Sequence, residues 1–219
     1  MPADLCYCQQ FASLMYTIIL YIALGLGFIP LIPLLKGAIS LKAPIAPFIL
    51  LTAFSSLYEF VATLILNLNT TYWFHAYSIL ELLSILYFFG RVNKNKRFNS
   101  AALIVLLTVY LVSFYYWRSD NALTALAINK FPLTIYIVLS FIFWVQKLFR
   151  DNKVDNLWQH AEFYFVASLC IYYFCTAFLF IMSNYLFTHK AFFFDFWILN
   201  IICVILLRII LSVGVWKMK

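Results

Sequence analysis

The chain has 219 residues and a net charge of +7, with 66% AVILMFWYC and only 11% DEKR, where an ordinary soluble domain holds roughly 45–50% apolar and about 25% charged residues. That excludes a water-soluble fold, whose exterior must carry its polar and charged side chains. Seven spanning helices at about 20 residues each take roughly 140 and leave about 80 for connectors and tails, so no separate soluble domain fits.

Apolar runs fall at 11–35, 43–66, 73–90, 100–117, 131–149, 160–184 and 192–216. They predict an all-α polytopic membrane helix bundle, one domain over residues 1–219 with seven transmembrane helices. In the first run, Pro30 and Pro33 are expected to kink or end the helix, and Pro44 and Pro47 to mark the start of the second. The third run carries Glu81 and leads into the fourth through a connector, Arg91 to Asn99, that holds Arg91, Lys94, Lys96 and Arg97 with no acid between them. The fifth run is the weakest, since Lys147 and Arg150 must reach back toward the headgroups. Pro132 is read in its first turn, where a missing N–H costs little, and Lys130 in the connector before it. The runs are too long and too continuously apolar for the alternating strands of a barrel. Met1 to Gln10 has no Lys or Arg and includes Asp4, so the first span is expected to be retained rather than cleaved as a leader.

Lys and Arg are distributed unequally. The connectors after the first, third and fifth runs and the C-terminal tail hold Lys36, Lys42, Arg91, Lys94, Lys96, Arg97, Lys147, Arg150, Lys153, Lys217 and Lys219, eleven in all, against Arg118, Lys130 and Lys190 on the other side. Positive loops stay in the cytoplasm. The N-terminus is therefore expected outside and the C-terminus inside. This accounts for the basic balance without nucleic acid as a partner.

Glu59, Glu81 and Arg208 lie within apolar runs, where an ionisable group costs a few kcal/mol unless paired, neutral or hydrated. At 1.5 Å per residue, Glu59 lies roughly 22 Å and Glu81 roughly 18 Å from the inner edge, and Arg208 about 12 Å. Polar stripes run through these positions: Thr52, Ser56, Glu59 and Thr63; Tyr77, Glu81 and Ser84; Tyr164, Ser168, Tyr172 and Thr176; Asn200, Arg208 and Ser212. Such stripes are expected to face other helices or water, which makes Glu59, Glu81, Arg208, Tyr77, Tyr172 and Asn200 the candidate ligand- or proton-binding residues. Two arrangements fit. Either the two carboxyls share a proton at a site for a proton, a cation or a ligand amine, or one neutral glutamate bonds across helices while Arg208 is the counterion of the other.

Motifs for catalysis or cofactors are set aside. No lysine precedes Lys217 in the last run to hold retinal, which excludes an opsin of the usual kind. His160-Ala161-Glu162 lacks the P-C-x-x-C half of a zinc deaminase, and neither H-E-x-x-H nor G-x-S-x-G occurs. His75, His160 and His189 fall at different membrane faces, so no metal site is expected. Cys6, Cys8, Cys170, Cys175 and Cys203 are an odd set in a mostly apolar setting and read as filler. Asn69-Thr70-Thr71 matches a glycosylation sequon that matters only in a eukaryotic secretory pathway. Neither an enzyme nor a cofactor is expected.

Three stretches, Glu81 to Phe89, Ser168 to Tyr185 and Phe193 to Lys217 with Trp197, Asn200 and Gly214-Val215-Trp216, resemble a group of small bacterial seven-helix integral membrane proteins. The resemblance implies the bacterial inner membrane as location and carries no residue role. The expected function is that of a sensor or receptor-like protein whose partners are the lipid bilayer, a small ligand from the outer side and a cytoplasmic signalling partner. That partner would meet the contact surface of Arg91, Lys94, Lys96 and Arg97. The alternative is a small proton- or cation-coupled transporter.

Overall fold

The computed structural model describes residues 3–36, 40, 42–68, 71–115, 122–150, 156–188 and 193–218. The apolar runs fold as α1 (Ala3–Leu26), a five-residue α2 (Leu31–Leu35), α3 (Ala46–Tyr58) continued by a π-helical segment (Glu59–Ile65), α4 (Thr71–Asn93), α5 (Lys96–Phe114), α6 (Ala122–Arg150), α7 (Ala161–Thr188) and α8 (Phe193–Lys217). Six stretches, Met15–Leu35 and one in each of α4 to α8, are long and apolar enough to cross a membrane, and Ala46–Ala62 is a shorter apolar helix. Seven helices thus fit a seven-span bundle. Residues Asn69, Thr70, Arg118, Lys153, His189, Lys190 and Lys219, and the side chains of Cys6, Cys8, Thr63, Asp195 and Trp197, lie outside what is described.

Local chemistry sets several boundaries. Pro47 enters the first turn of α3, as expected. Helix α1 does not run on to Pro30: it ends at Leu26, and Gly27 donates its N–H to the Leu24 carbonyl in a tighter turn. Gly27 is required there, because a Cβ would collide with the Ser56 hydroxyl of α3. Two expectations need correction. Helix α6 begins at Ala122 rather than near 131, so Lys130 and Pro132 lie within the helix and not in a connector or first turn. A membrane helix tolerates such a proline because neighbouring groups satisfy the freed backbone. The proline frees the Ile128 carbonyl, and in the turn after it Thr134 donates its hydroxyl to the Lys130 carbonyl at 2.8 Å, with the Tyr173 carbonyl of α7 at 3.2 Å, which ties this stretch of α6 to α7. The stretch from Arg91 to Asn99 is also mostly helical: α4 runs to Asn93 and α5 starts at Lys96, with the Asn95 side chain accepting from the Phe98 N–H at 3.2 Å as N-cap.

Packing places α7 against α6 and α8, α6 against α5 and α4, α8 against α1, and α3 against α4. Gly214 permits the α7–α8 approach, since a Cβ there would meet Phe165 at 2.6 Å. The core between these helices is aromatic and aliphatic, with Phe48, Phe88, Phe89, Phe165, Leu169, Tyr173 and Leu211 fully buried. The exterior is apolar as well: Ile104, Leu111, Phe174 and Phe178 are each more than 60% exposed, while Glu81, Lys130 and Arg208 are buried. A soluble monomer does not expose large apolar side chains on this scale. The molecule is a multi-pass helical bundle whose outer surface suits lipid.

Candidate functional site

Most hydroxyls of the polar stripes do not form a site. Thr52, Ser56, Ser84, Ser168, Thr176 and Ser212 each donate to a carbonyl three or four residues back on their own helix. Such back-bonding satisfies a hydroxyl without any partner helix. The charged groups behave differently, and they connect helices.

Glu81 on α4 accepts a hydrogen bond from the Lys130 ammonium on α6 at 2.9 Å, an ion pair whose side chains are 2% and 7% exposed. The depths match: Glu81 lies about 15 Å along α4 from Thr71, and Lys130 about 12 Å along α6 from Ala122. Two tyrosines of α7 flank the lysine, with Nζ 5.3 Å from the Tyr172 ring centre and 4.7 Å from that of Tyr173. An ammonium withdrawn from water gains from aromatic faces at this range. Glu81 therefore has a lysine as its partner, not Glu59, and the proton sharing expected between the two carboxyls is not needed to account for it. Lys130 is the residue that sequence reasoning missed. Ala122 to Ile128 ahead of it is mainly apolar, and an acid at the depth of Glu81 calls for a base at equal depth; together these were the available signal.

Arg208 on α8 is buried and donates to the Ala23 carbonyl of α1. The pairing follows from the end of α1: Gly27 turns its N–H to Leu24, so the Ala23 carbonyl loses the donor that a continuing helix would supply. A cation at a helix C-terminus also complements the helix dipole. Arg208 interacts electrostatically with Glu59, Tyr77 and Tyr172, and Glu59 sits partly buried at the first residue of the π-helical segment. The Tyr77 hydroxyl lies in the field of Glu81, Tyr172, Arg208 and Glu59 together.

The structure thus joins Glu81 of α4, Lys130 of α6 and Tyr172 of α7 directly, with Tyr77 of α4, Glu59 of the π-helical segment and Arg208 of α8 within electrostatic range of one another. Asn200 stands about 12 Å along α8 from Arg208, and its buried amide oxygen has no hydrogen-bond partner. The Arg208 Nε, the Tyr173 hydroxyl and both amide atoms of Asn129, which is 9% exposed, are buried and unpartnered too. Two acids and two bases balance in the bundle interior, and the unpartnered donors and acceptors around them have capacity for water or a small polar ligand.

The four basic residues around the junction of α4 and α5 lie at one end of the bundle. Arg91 is exposed, with its guanidinium 5.4 Å over the Tyr87 ring. Lys94 takes a positive φ of 58° where α4 stops, and Lys96 and Arg97 occupy the first turn of α5. Cations oppose the dipole at that position, so helix stability does not explain them. At the same end α4 and α6 are joined twice more: Lys147 donates to the Val92 carbonyl at 2.9 Å, and Asn93 to the Ser140 carbonyl at 3.0 Å. Lys147 thus turns onto α4 rather than reaching only for headgroups. No group of three or more His, Cys, Asp or Glu side chains that could hold a metal occurs among the described residues. Compared with known proteins, the chain matches no family model, no curated protein and no solved structure.

Proposed function

We propose that the protein is a sensor or receptor-like seven-helix protein of the bacterial inner membrane, in which the Glu81–Lys130 pair latches α4 to α6. The observation that carries this reading is that one pair of helices is joined by a buried ion pair and again at the basic end, by Lys147 to Val92 and Asn93 to Ser140. The two sets of links are about 17–18 Å apart along α4 and about 15–26 Å apart along α6. A small polar ligand or a proton that entered from the outer side and released the pair would shift α4 against α6. Arg91, Lys94, Lys96 and Arg97, at or just beyond the end of α4, would carry that shift to a cytoplasmic partner. With Lys130 inside the bundle, only Arg118 and Lys190 remain on the outer side against eleven basic residues on the inner, which supports the N-out, C-in orientation.

A second reading, a small proton- or cation-coupled transporter, draws on one observation: the first span breaks at Gly27–Pro30 and the second turns π-helical at Glu59. Carriers use such discontinuous helices at their binding sites. The test is flux. Protein reconstituted in vesicles holding a pH-sensitive dye is given a proton gradient and a membrane potential. A sensor gives only the leak of protein-free vesicles. Flux that Glu59→Gln abolishes overturns the sensor reading in favour of the carrier.

A further inference from the structure

Between α3 and α4, on the outside of the bundle, lies a groove of about 600 Å³ lined by residues that include Pro47, Phe54, Leu80, Leu83, Ser84 and Tyr87. Its walls are the antiparallel faces of the two helices over about 10 Å of length. Ser84 does not wet it, because its hydroxyl donates to the Glu81 carbonyl at 2.8 Å. Leu80, Leu83 and Tyr87 are substantially exposed in it, so in a bilayer the groove opens to hydrocarbon.

The charge at the groove's end selects among occupants. Tyr87 closes the α4 wall, and one turn further on Arg91 is exposed and holds its guanidinium 5.4 Å from the Tyr87 ring centre. At the same end α3 is entered from Lys42, also exposed. A guanidinium presents several donors to a phosphate and binds it with charge-assisted hydrogen bonds. We infer that this groove is a binding site for one anionic phospholipid, an acyl chain lying between α3 and α4 and the phosphate held by Arg91 with Lys42. The pairing of a dry interhelical groove with cations at one end is the chemistry of an anionic lipid, whereas a zwitterionic lipid offers the same phosphate together with a quaternary ammonium that Arg91 and Lys42 repel. This site is separate from the polar core.

The test uses delipidated protein in detergent, offered phosphatidylglycerol and phosphatidylcholine with matched chains and read by native mass spectrometry. Intact protein retains phosphatidylglycerol preferentially. The Arg91→Gln/Lys42→Gln variant loses that preference by about five-fold for each charge removed. The Lys96→Gln/Arg97→Gln variant keeps it. An unchanged preference in the first variant, or an equal loss in the second, overturns the proposal, the latter because attraction would then be diffuse. A further measurement needs no substitution: phosphatidylglycerol with a photoreactive acyl chain labels residues 47–54 and 80–87 above the lipid-facing background. Labelling spread equally over Ile104, Leu111, Phe174 and Phe178 refutes the site.

Discussion

Replacing Lys130 by Met removes the cation from a pair that is almost fully withdrawn from solvent. At 2.9 Å two unit charges attract by about 6 kcal/mol at an effective dielectric of about 20. Desolvation of the two ions offsets much of this, so the pair contributes little net stability. Removing one partner is a different matter. It leaves Glu81, 1% exposed, as an uncompensated buried charge, at a cost of about 3–5 kcal/mol. Glu81→Leu strands Lys130 with a cost of similar size, reduced by the ring faces of Tyr172 and Tyr173. The double variant Glu81→Leu/Lys130→Met removes both charges and keeps the volume, and is expected to recover most of the loss. The assay is reversible unfolding in mixed micelles titrated with a denaturing detergent, run on all four proteins. Single variants that each lose several kcal/mol while the double variant stays near the intact protein establish the coupling. Losses that simply add, or single variants as stable as the intact protein, refute the ion pair.

Other consequences concern individual contacts. Arg208→Gln deprives the Ala23 carbonyl of its charged donor and Glu59 of its nearby cation, and is expected to cost about 2–3 kcal/mol in the same assay; no change would mean that Arg208 does not cap α1. Gly214→Val drives a side chain into Phe165 and should cost about 1–3 kcal/mol by separating α7 from α8, whereas a neutral result would place that contact elsewhere. Reporter fusions after Lys36, Asn99 and Lys219 should read cytoplasmic and one at Asn121 external. A cytoplasmic signal at Asn121 would sink the orientation.

Much of the fold was legible because lipid imposes a simple rule: an apolar run of sufficient length is a helix. The places that misled were those where a polar or helix-breaking residue lies inside a span. Asn129, Lys130 and Pro132 together look like the edge of a helix in water, yet Lys130 has a buried acid to meet and Pro132 has Thr134 and α7 beside it. The matched depth of Glu59 and Glu81 was visible from counting residues. Which base each acid faces was not, because helix neighbours such as α4 and α6 are far apart in the chain. The Ser and Thr stripes were conspicuous in sequence and weak in function, since a hydroxyl can satisfy itself on its own helix. The Arg208–Ala23 contact depended on where α1 stops, which Gly27 decides through its close approach to Ser56.

The latch is tested most directly by the separation of α4 and α6 at the basic end. Nitroxides are placed on Lys94→Cys and Phe149→Cys, both exposed, in protein whose five native cysteines are replaced, and distances are measured by pulsed electron resonance in lipid nanodiscs. Releasing the pair with Glu81→Gln should shift or broaden the distance distribution relative to protein with Glu81 intact, while Ile104→Ala, on the exposed apolar exterior of α5, leaves it unchanged. Identical distributions with and without Glu81 would contradict the account, because the buried pair would then have no hold on the end of the bundle it is proposed to control.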